Sequence, residues 1–408
     1  MTAAATTDVA AWPASPGVTA PAGFRAAGVT AGLKVSGNRD LALVVNDGPL
    51  QVGAAVFTTN RVVGAPVLWS RQAVSDGVVH AVVLNSGGAN VCTGPEGFQD
   101  AHATAEKVAE ALGASAADVV VASTGLIGER LPLAKLLAGV DDAAGALADG
   151  SAAGEAAADA IRTTDTVAKT AHVVVDTPAG SFTVGGMAKG AGMLAPALAT
   201  MLCVVTTDAV VDAATADAAL RAGTRASFDR VDSDGCMSTS DTVALLASGA
   251  SRVTPDDATF ADAVRAVCAS LARQLVADAE GATHDIAVTV TGAETEDAAL
   301  AVARAVTRSN LFKTAVFGND PNWGRILAQV GTVPVEVAAF EPDELDVSVN
   351  GVQVCRAGGA YRPRDEVDMA SEREVRVDID LHAGDASVTV WTNDLTHDYV
   401  HENSAYST

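Results

Sequence analysis

A threonine that follows a glycine-rich segment is the residue of this sequence best suited to act as a nucleophile. Residues 185–208 read GGMAKGAGMLAPALATMLCVVTTD, with small residues before Thr200 and a strand-like run after it. Glycine lets the backbone adopt positive φ and pack closely, so such a run can hold a strained peptide bond next to a hydroxyl. The Thr200 hydroxyl could attack the carbonyl of Ala199 and cut the chain between the two residues.

Cleavage at that point would make Thr200 a chain terminus and supply it with its own base. An α-amino group has a reference pKa of about 7.7–8.0, whereas that of a lysine side chain is about 10.4. The amine can therefore accept the hydroxyl proton close to neutral pH. A glycine-rich turn before a buried strand is the plainer interpretation, and the segment taken alone favours it.

Thr124 and Gly125 form a second candidate site, at the end of the strand-like run DVVVAS. A strand that delivers a hydroxyl and a glycine N–H to a loop is one way to build an oxyanion hole. An ordinary strand-to-loop corner is the alternative, and it is favoured when the pair is considered in isolation.

A dinucleotide-binding pattern also occurs in the glycine-rich segment. Residues 190–195, GAGMLA, match G-x-G-x-x-A, and Asp208 follows at a distance suited to a ribose contact. The crossover in such a fold needs about 10–12 residues or more. Here Pro196 interrupts it and the next strand begins near Met201, so we reject the nucleotide interpretation.

Two patterns that resemble metal sites are incomplete. Residues 229–242 read DRVDSDGCMSTSDT, but Arg230 occupies the first position of the calcium loop and Asp241 stands where a bidentate Glu is required. His397 and His401 could share one face of a helix, yet no HExxH motif or third ligand accompanies them. The sequence therefore predicts no metal site.

The composition restricts the classes of partner. The 408 residues carry a net charge of −24, and 49% of them are hydrophobic while 4% are aromatic. Nucleic acids and anionic membranes attract clustered Lys and Arg, so the sequence predicts binding to neither. The five cysteines include no CxxC pair, and the first residues lack the features of a signal peptide. These features favour a cytoplasmic protein.

Strand-like and helix-like segments are mixed along the whole chain, which predicts an α+β or layered α/β fold. The length allows two or three domains, or two lobes that share one core. Three of the segment predictions are a continuous helix over 133–161, a Gly-, Asn- and Pro-rich loop over 317–331 and a strand over 333–338.

Ordered motifs along nearly the whole chain resemble the ornithine acetyltransferase family of arginine biosynthesis, the ArgJ type. The family pattern is Lys-Gly-x-Gly-Met, then Pro, then Ala-Thr-Met-Leu, and it stands here at 189–193, 196 and 199–202. The further matches are NSGGANVCTG, STGLIG, RTTDT, STSDT, EGATH, FGNDPNWGRIL and a terminal N-x-x-Y-x-T.

The resemblance implies an ArgJ-like fold, in which helices enclose β-sheets, and self-cleavage between Ala199 and Thr200. The products would be an alpha chain, 1–199, and a beta chain, 200–408, assembled as a heterotetramer of two copies of each. The implied activity is glutamate N-acetyltransferase. An acetyl group would move from N2-acetylornithine to glutamate through an acetyl-Thr200 intermediate, with Thr124 and Gly125 stabilising the oxyanion. No cofactor is implied, and acetyl-CoA is a possible second donor.

The resemblance also assigns contacts to the amino-acid substrate. They are Thr163, Lys189, Thr200, Glu280, Asn403 and Thr408. A zwitterionic substrate with a charged side chain needs a cation for its carboxylate and an anion for its ammonium, which Lys189 and Glu280 could supply. The chain departs from the family at Gly88-Ala89, His284 and Ser240, none of them an assigned catalytic position.

Two other functions fit the same residues. An N-terminal-threonine aminopeptidase or amidase would use the same nucleophile and oxyanion hole, with water in place of glutamate. A non-enzymatic binding protein would use the glycine-rich segment only structurally. Experiment can distinguish the three functions. The transferase would move acetyl to glutamate, the amidase would release free acetate, and the binding protein would remain uncleaved.

Overall fold

The computed structural model describes Trp12, residues 14–195 and residues 201–405. Three predicted site residues, Ala199, Thr200 and Thr408, lie outside the described residues. The described chain forms two compact units, one of 230–235 and 279–405 and a larger one that contains the remaining described residues.

The larger unit is built on two β-sheets. Its described strands are β1 (Phe24–Val29), β2 (Leu41–Asn46), β3 (Val52–Phe57), β4 (Ala81–Ser86), β5 (Val119–Thr124), β6 (Lys169–Thr177), β7 (Gly180–Lys189), β8 (Leu202–Thr207) and β9 (Thr242–Ala247). One sheet has the order β1-β2-β4-β5 and the other the order β3-β9-β8-β7-β6. Its described α-helices are α1 (Ala65–Ala73), α2 (Gly94–Leu112), α3 (Leu133–Gly145), α4 (Ser151–Ala160), α5 (Ala213–Ala226) and α6 (Asp257–Ala277).

Apolar residues from both sheets form the central core of the larger unit. Val44 and Leu84 of the four-stranded sheet share one buried cluster with Met187 and Leu246 of the five-stranded sheet. Helices α2 and α3 cover the outer face of the four-stranded sheet, and α5 and α6 pack on the five-stranded sheet. Two stacked sheets between helical layers confirm the predicted layered α/β class.

Strands β7 and β8 come from the two sides of the predicted cleavage point. They are antiparallel neighbours in which Lys189 pairs with Leu202. On its other edge β8 runs parallel to β9, with Leu202 opposite Thr242. The described residues before and after the predicted junction therefore belong to one hydrogen-bonded sheet.

The smaller unit contains a six-stranded sheet. Its strands are β10 (Asp285–Ala293), β11 (Asp346–Val349), β12 (Val352–Arg356), β13 (Gly359–Ala360), β14 (Glu374–Asp380) and β15 (Ala386–Asn393), in the order β13-β12-β11-β14-β10-β15. Its described α-helices are α7 (Glu296–Thr307), α8 (Asn310–Phe317), α9 (Trp323–Val330) and α10 (His397–Ala405). The apolar residues of β10, β14 and β15 share a buried cluster with those of α7 and α9.

Short 3-10 turns connect several of these elements. They are Gly17–Thr19, Ala116–Asp118, Phe228–Arg230, Pro342–Glu344 and Arg364–Glu366. Among the described residues, no helix combines the length and the apolar character that crossing a bilayer requires.

The predicted continuous helix over 133–161 is wrong, because the chain leaves the helix between α3 and α4. Ala148 exchanges two backbone hydrogen bonds with Ala26, of 2.9 and 3.1 Å between nitrogen and oxygen, and so joins the edge of the sheet. Gly150, just before α4, has φ +82°. An alanine-rich sequence carries no local signal for such a long-range bridge.

Two predictions in the smaller unit also fail. Residues 323–330 of the predicted loop form α9, because the Asn322 side chain caps the helix by accepting a hydrogen bond from the Arg325 N–H, and Ile326 lies buried in the core. Residues 333–338 are not a strand, although their apolar residues alternate. The Val337 N–H instead donates to the Pro334 carbonyl at 2.9 Å, which closes a turn.

Candidate active site

Two of the predicted site residues meet at the ends of strands that belong to different sheets of the larger unit. Lys189 is the last residue of β7 and Thr124 the last residue of β5, and both are buried. The Lys189 Nζ donates a hydrogen bond of 3.2 Å to the Thr124 Oγ1. Because the hydroxyl oxygen accepts this bond, the hydroxyl hydrogen of Thr124 can be donated to another group.

Gly125 follows Thr124 in a backbone conformation that favours glycine. Its φ is +130°, and a Cβ at this position would lie 2.6 Å from the backbone nitrogen of Gly88. The carbonyl of Thr124 accepts hydrogen bonds from the N–H groups of Gly87 and Gly88, at 3.0 and 3.1 Å. No acceptor among the described residues takes the N–H of Gly125. The corner therefore offers a hydroxyl and an N–H as two adjacent donors.

The carboxylate of Asp165 ties the predicted substrate residue Thr163 to the end of β7. Its Oδ1 accepts from the Gly190 N–H at 2.6 Å, and its Oδ2 accepts from the Thr163 N–H at 3.0 Å. A single buried side chain thus fixes the backbone of Thr163 and of the residue that follows Lys189.

Lys169 completes a buried charge network with two carboxylates. Its Nζ lies 2.7 Å from Asp165 Oδ1 and 2.6 Å from Asp278 Oδ2, and all three side chains are at most 2% exposed. Burial favours the neutral acid at Asp165, but the positive charges of Lys169 and Lys189 hold the pKa of that carboxyl well below its usual range. The Asp165 carboxyl is therefore ionised at neutral pH.

The backbone of Met201, the residue after Thr200 in the sequence, is held on both sides. Its N–H donates to Asp241 Oδ1 at 3.2 Å. Its carbonyl accepts from the Thr242 N–H, also at 3.2 Å. These two bonds fix the backbone of Met201, which immediately precedes β8.

In the smaller unit, Glu280 is 9% exposed and faces a small cavity. The cavity is lined by Asp234, Glu280, Asn310, Lys313, Asp394 and Tyr399, among others. The Asn403 Nδ2 donates a hydrogen bond of 2.8 Å to Glu280 Oε2. The two predicted substrate residues of this unit are therefore in direct contact.

Lys313 places a buried ammonium group at the same cavity. Its Nζ donates to the carbonyl of Ser233. Burial lowers the pKa of Lys313, against the opposing charges of Asp234, Asp232 and Asp394. The cavity thus combines acidic and basic groups, which suits a ligand that carries both signs of charge.

His284, a position where the chain departs from the family pattern, is paired with a carboxylate. Its Nδ1 lies 2.9 Å from Asp394 Oδ2. The hydrogen bond with Asp394 is the largest cause that raises the pKa of His284. Asp394 also accepts from the backbone N–H groups of Thr283 and His284, at 2.9 and 3.0 Å. The imidazole is held in place by the carboxylate.

The structure brings the predicted residues together in two groups. The larger unit groups Thr124, Gly125, Thr163 and Lys189, and the smaller unit joins Glu280 to Asn403. No local sequence pattern indicates the roles of Lys169 and Asp278. Asp165 lies in the RTTDT motif, but the motif alone assigns no role to its carboxylate.

The predicted helical spacing of the two C-terminal histidines is confirmed, since both lie in α10. The ring of His397 packs edge-on against Phe317, with ring centroids 5.5 Å apart. Within the described ranges, no group of three or more His, Cys, Asp or Glu side chains is arranged to hold a metal ion.

Comparison with known proteins shows what the chain is similar to. The ArgJ family model matches residues 25–408. The arginine biosynthesis bifunctional protein ArgJ of Streptomyces avermitilis is 63% identical over 390 residues, which are 96% of this chain and 99% of that protein. The protein of the same name in Thermobifida fusca is 61% identical over 392 residues, which are 96% of this chain and 100% of that protein.

Solved structures are also similar in sequence. One of them is a crystal structure of ornithine acetyltransferase from Mycobacterium tuberculosis, complexed with ornithine, and it is 55% identical to this chain. The alignment covers 46% of this chain and 96% of that chain, with a TM-score of 0.42.

Proposed function

Because the chain belongs to the ArgJ family and is an acetyltransferase of arginine biosynthesis, we propose that it moves acetyl from N2-acetylornithine to glutamate. Thr200 is the proposed nucleophile, and it becomes a chain terminus by self-cleavage after Ala199. The observation that best supports this assignment is the buried corner where Lys189 contacts Thr124, beside the Gly125 N–H that no acceptor in the described part of the chain takes.

Self-cleavage begins when the Thr200 hydroxyl attacks the Ala199 carbonyl. The peptide bond breaks, an ester forms, and water hydrolyses that ester to leave a carboxylate on Ala199 and a free amine on Thr200. The products are the alpha chain, 1–199, and the beta chain, 200–408. Pairing of β7 with β8, and of β3 with β9, supports their remaining together after the cut.

In the first half-reaction the Thr200 hydroxyl attacks the acetyl carbonyl of N2-acetylornithine. The amine of Thr200 accepts the hydroxyl proton and passes it to the departing nitrogen, so that ornithine leaves and acetyl-Thr200 remains. The Thr124 hydroxyl and the Gly125 N–H are the donors we assign to the tetrahedral oxyanion. In the second half-reaction the glutamate amine attacks the acetyl carbonyl and the bond to Thr200 Oγ1 breaks. The proton lost by the glutamate amine passes to Thr200 Oγ1, and N-acetylglutamate is released.

The charges at the two groups of residues fit amino-acid substrates. Lys189 would bind a substrate carboxylate, and Glu280, held by Asn403, would bind an ammonium group. Thr163 and Thr408 complete the proposed contacts. Because the relatives are named bifunctional, we also propose acetyl-CoA as a second donor. We propose no bound cofactor.

The assembly and the compartment are part of the same proposal. We expect a heterotetramer of two alpha and two beta chains, in the cytoplasm, with no nucleic acid or membrane as partner. The five cysteines are widely spaced and include no CxxC pair, which supports a reducing compartment.

One assay tests the proposed function. Purified protein with N2-acetylornithine and glutamate should form N-acetylglutamate and ornithine in equal amounts, and denaturing electrophoresis should show the 1–199 and 200–408 chains. Acetyl-CoA and glutamate without acetylornithine test the second donor. Release of free acetate at the rate of ornithine release, with no N-acetylglutamate, would instead show an amidase that uses the same nucleophile.

Substituting Gly125 by alanine should lower kcat with little change in the folded structure outside the corner. The new Cβ would meet the Gly88 nitrogen at 2.6 Å and displace the Gly125 N–H from its position. Loss of one oxyanion donor typically costs about 10²–10³ in kcat. Steady-state kinetics with N2-acetylornithine measure this loss.

Gly128→Ala is the matched control, because Gly128 also has positive φ, +91°, but its Cβ would meet nothing within 4 Å. It carries a similar backbone strain in the same loop and should retain most of kcat. Equal activity losses in the two variants would contradict the assignment of Gly125 to the oxyanion hole.

A further inference from the structure

Lys34 is a half-buried lysine that the proposed reaction leaves without a role. It lies in the loop of residues 30–40, between β1 and β2. Its Nζ donates hydrogen bonds to two backbone carbonyls, that of Arg39 at 2.9 Å and that of Arg162 at 2.6 Å. An ammonium group has three N–H donors. The third N–H of Lys34 meets no acceptor among the described residues and can be donated to a ligand.

A buried carboxylate fixes the backbone that carries Lys34. Asp40 is 0% exposed and lies just before β2. Its Oδ2 accepts from the N–H groups of Leu33 and Lys34, at 2.6 and 3.0 Å, and its Oδ1 accepts from the N–H of Ala31 at 2.6 Å. The lysine side chain therefore extends from a loop that is held by three hydrogen bonds.

The contact with Arg162 attaches Lys34 to the predicted substrate residue Thr163. The Arg162 carbonyl and the Thr163 N–H belong to one peptide group. Its oxygen accepts from the Lys34 Nζ, and its N–H donates to Asp165 Oδ2 at 3.0 Å. The other oxygen of Asp165 accepts from the Gly190 N–H at 2.6 Å, directly after β7. One peptide group and one carboxylate thus connect the ammonium to the end of β7.

The same loop also packs against the corner at the end of β5. A Cβ on Gly87 would lie 2.8 Å from the Cβ of Leu33, the residue before Lys34. The Gly87 N–H donates to the Thr124 carbonyl at 3.0 Å. Two independent sets of contacts therefore place Lys34 beside the residues that we assign to the substrate.

The carboxylates nearest to Lys34 are engaged by other groups. Asp40 accepts three backbone N–H groups, and Asp159 pairs with Arg39 at 3.2 Å and with Arg162 at 2.7 Å. In the part of the chain that the structure describes, no carboxylate forms an ion pair with the Lys34 ammonium.

The surrounding charges leave room for an anion at Lys34. Burial lowers the pKa of this lysine, and the positive charges of Lys189 and Arg162 act in the same direction. Asp40 and Asp159 oppose the shift from a distance. A bound carboxylate would supply the negative charge that the ammonium lacks in an ion pair.

We propose that Lys34 is a specificity-determining residue for the acetyl acceptor, which binds the second carboxylate of glutamate while Lys189 binds the first. The inference rests on the proposed function. Glutamate carries two carboxylates, whereas N2-acetylornithine carries one carboxylate and one ammonium group. Two neighbouring cations attract both charges of glutamate and repel the ammonium of acetylornithine. Lys34 therefore acts in the second half-reaction and not in the first.

Lys34→Met tests the proposal, because methionine keeps an unbranched apolar stem and removes the charge. In a ping-pong reaction, kcat/KM for each substrate reports its own half-reaction. The variant should lose about 10- to 100-fold in kcat/KM for glutamate, the scale of one hydrogen bond to a charged group. Its kcat/KM for N2-acetylornithine should stay nearly unchanged. Lys34→Arg, which keeps the positive charge, should recover part of the loss. Initial rates with both substrates varied give the two values.

Lys135→Met is the matched control, since the exposed Lys135 Nζ donates to the Gly32 carbonyl of the same loop at 3.1 Å. It should leave both kcat/KM values unchanged. Equal losses for the two substrates in Lys34→Met, or no loss for glutamate, would overturn the proposal.

Glutamine as acceptor gives a test that needs no variant, because its side chain has an uncharged amide in place of the second carboxylate. The unsubstituted enzyme should show a kcat/KM for glutamine at least about tenfold below that for glutamate. Equal values would overturn the role of Lys34. Failure of the proposed function has a different result, since the unsubstituted enzyme would then form no N-acetylglutamate.

Discussion

Replacing Thr200 by alanine is expected to leave the chain as one uncut polypeptide without acetyltransferase activity. The substitution removes the hydroxyl that attacks the Ala199 carbonyl, so neither the free amine nor the acetyl ester can form. Denaturing electrophoresis should show a single band for the 408 residues, and N-acetylglutamate should be undetectable. Because the nucleophile and its base are lost together, this is the largest effect that we expect from one substitution.

Thr200→Ser is the control, since serine keeps the hydroxyl. It should cleave, and its beta chain should gain the mass of one acetyl group when it is mixed with N2-acetylornithine alone. Acetyl transfer by the alanine variant, or an acetyl group trapped on another residue, would show that the nucleophile lies elsewhere.

Asp165→Asn is expected to lower the stability of the larger unit substantially. It removes one of the two carboxylates that neutralise the buried Lys169. Breaking one partner of a buried ion pair costs about 3–5 kcal/mol of unfolding free energy, and the remaining Asp278 places the expected loss near the lower value. Urea unfolding at pH 7 measures the difference.

The loss of unfolding free energy in Asp165→Asn should become smaller as the pH falls. Lys169 and Lys189 hold the pKa of Asp165 well below its usual range. A carboxyl with a depressed folded-state pKa contributes stability above its unfolded pKa of about 3.9, and that contribution disappears as the pH falls toward the folded value. The difference between the two proteins should therefore be complete at pH 7 and shrink below about pH 4.

Asp159→Asn is the matched control, because Asp159 pairs with Arg162 and Arg39 at the surface, where it is 34% exposed. Exposed pairs contribute about 0–1 kcal/mol, so this variant should unfold close to the unsubstituted protein. An equally small effect of Asp165→Asn would mean that the buried network is not a source of stability.

Asp165→Asn should also raise KM for the amino-acid substrates. The same carboxylate accepts hydrogen bonds from the N–H of Thr163 and from the N–H of Gly190, the residue after Lys189. It therefore holds the backbone at both proposed substrate contacts, Thr163 and Lys189. The network therefore couples the stability of the larger unit to the position of residues that we assign to the substrate.

Local patterns predicted most of the fold. Buried strands such as β5 and β8 are continuous apolar runs, so short-range periodicity was enough to find them. The predictions failed where distant contacts decide the structure. The bridge between Ala148 and Ala26 ends a helix, and the cap supplied by Asn322 starts one inside a segment rich in glycine and proline.

The sequence by itself determined the family and the chemical types of the site residues. Ordered motifs around Lys189, Thr200 and Glu280 depend only on residue identity and spacing, which the linear chain contains in full. They were sufficient to predict the acetyl transfer, although Thr200 lies outside the described residues.

Only the tertiary structure decided which charged groups support those residues. Lys169 meets Asp278 across 109 positions of the chain, and Lys189 meets Thr124 across 65. Asp241 lies against Met201 because β8 and β9 are neighbours in one sheet. Burial and strand pairing set these contacts, and both are properties of the packed chain. A carboxylate in the sequence is the same residue whether it becomes a solvated surface charge or a buried partner of Lys169.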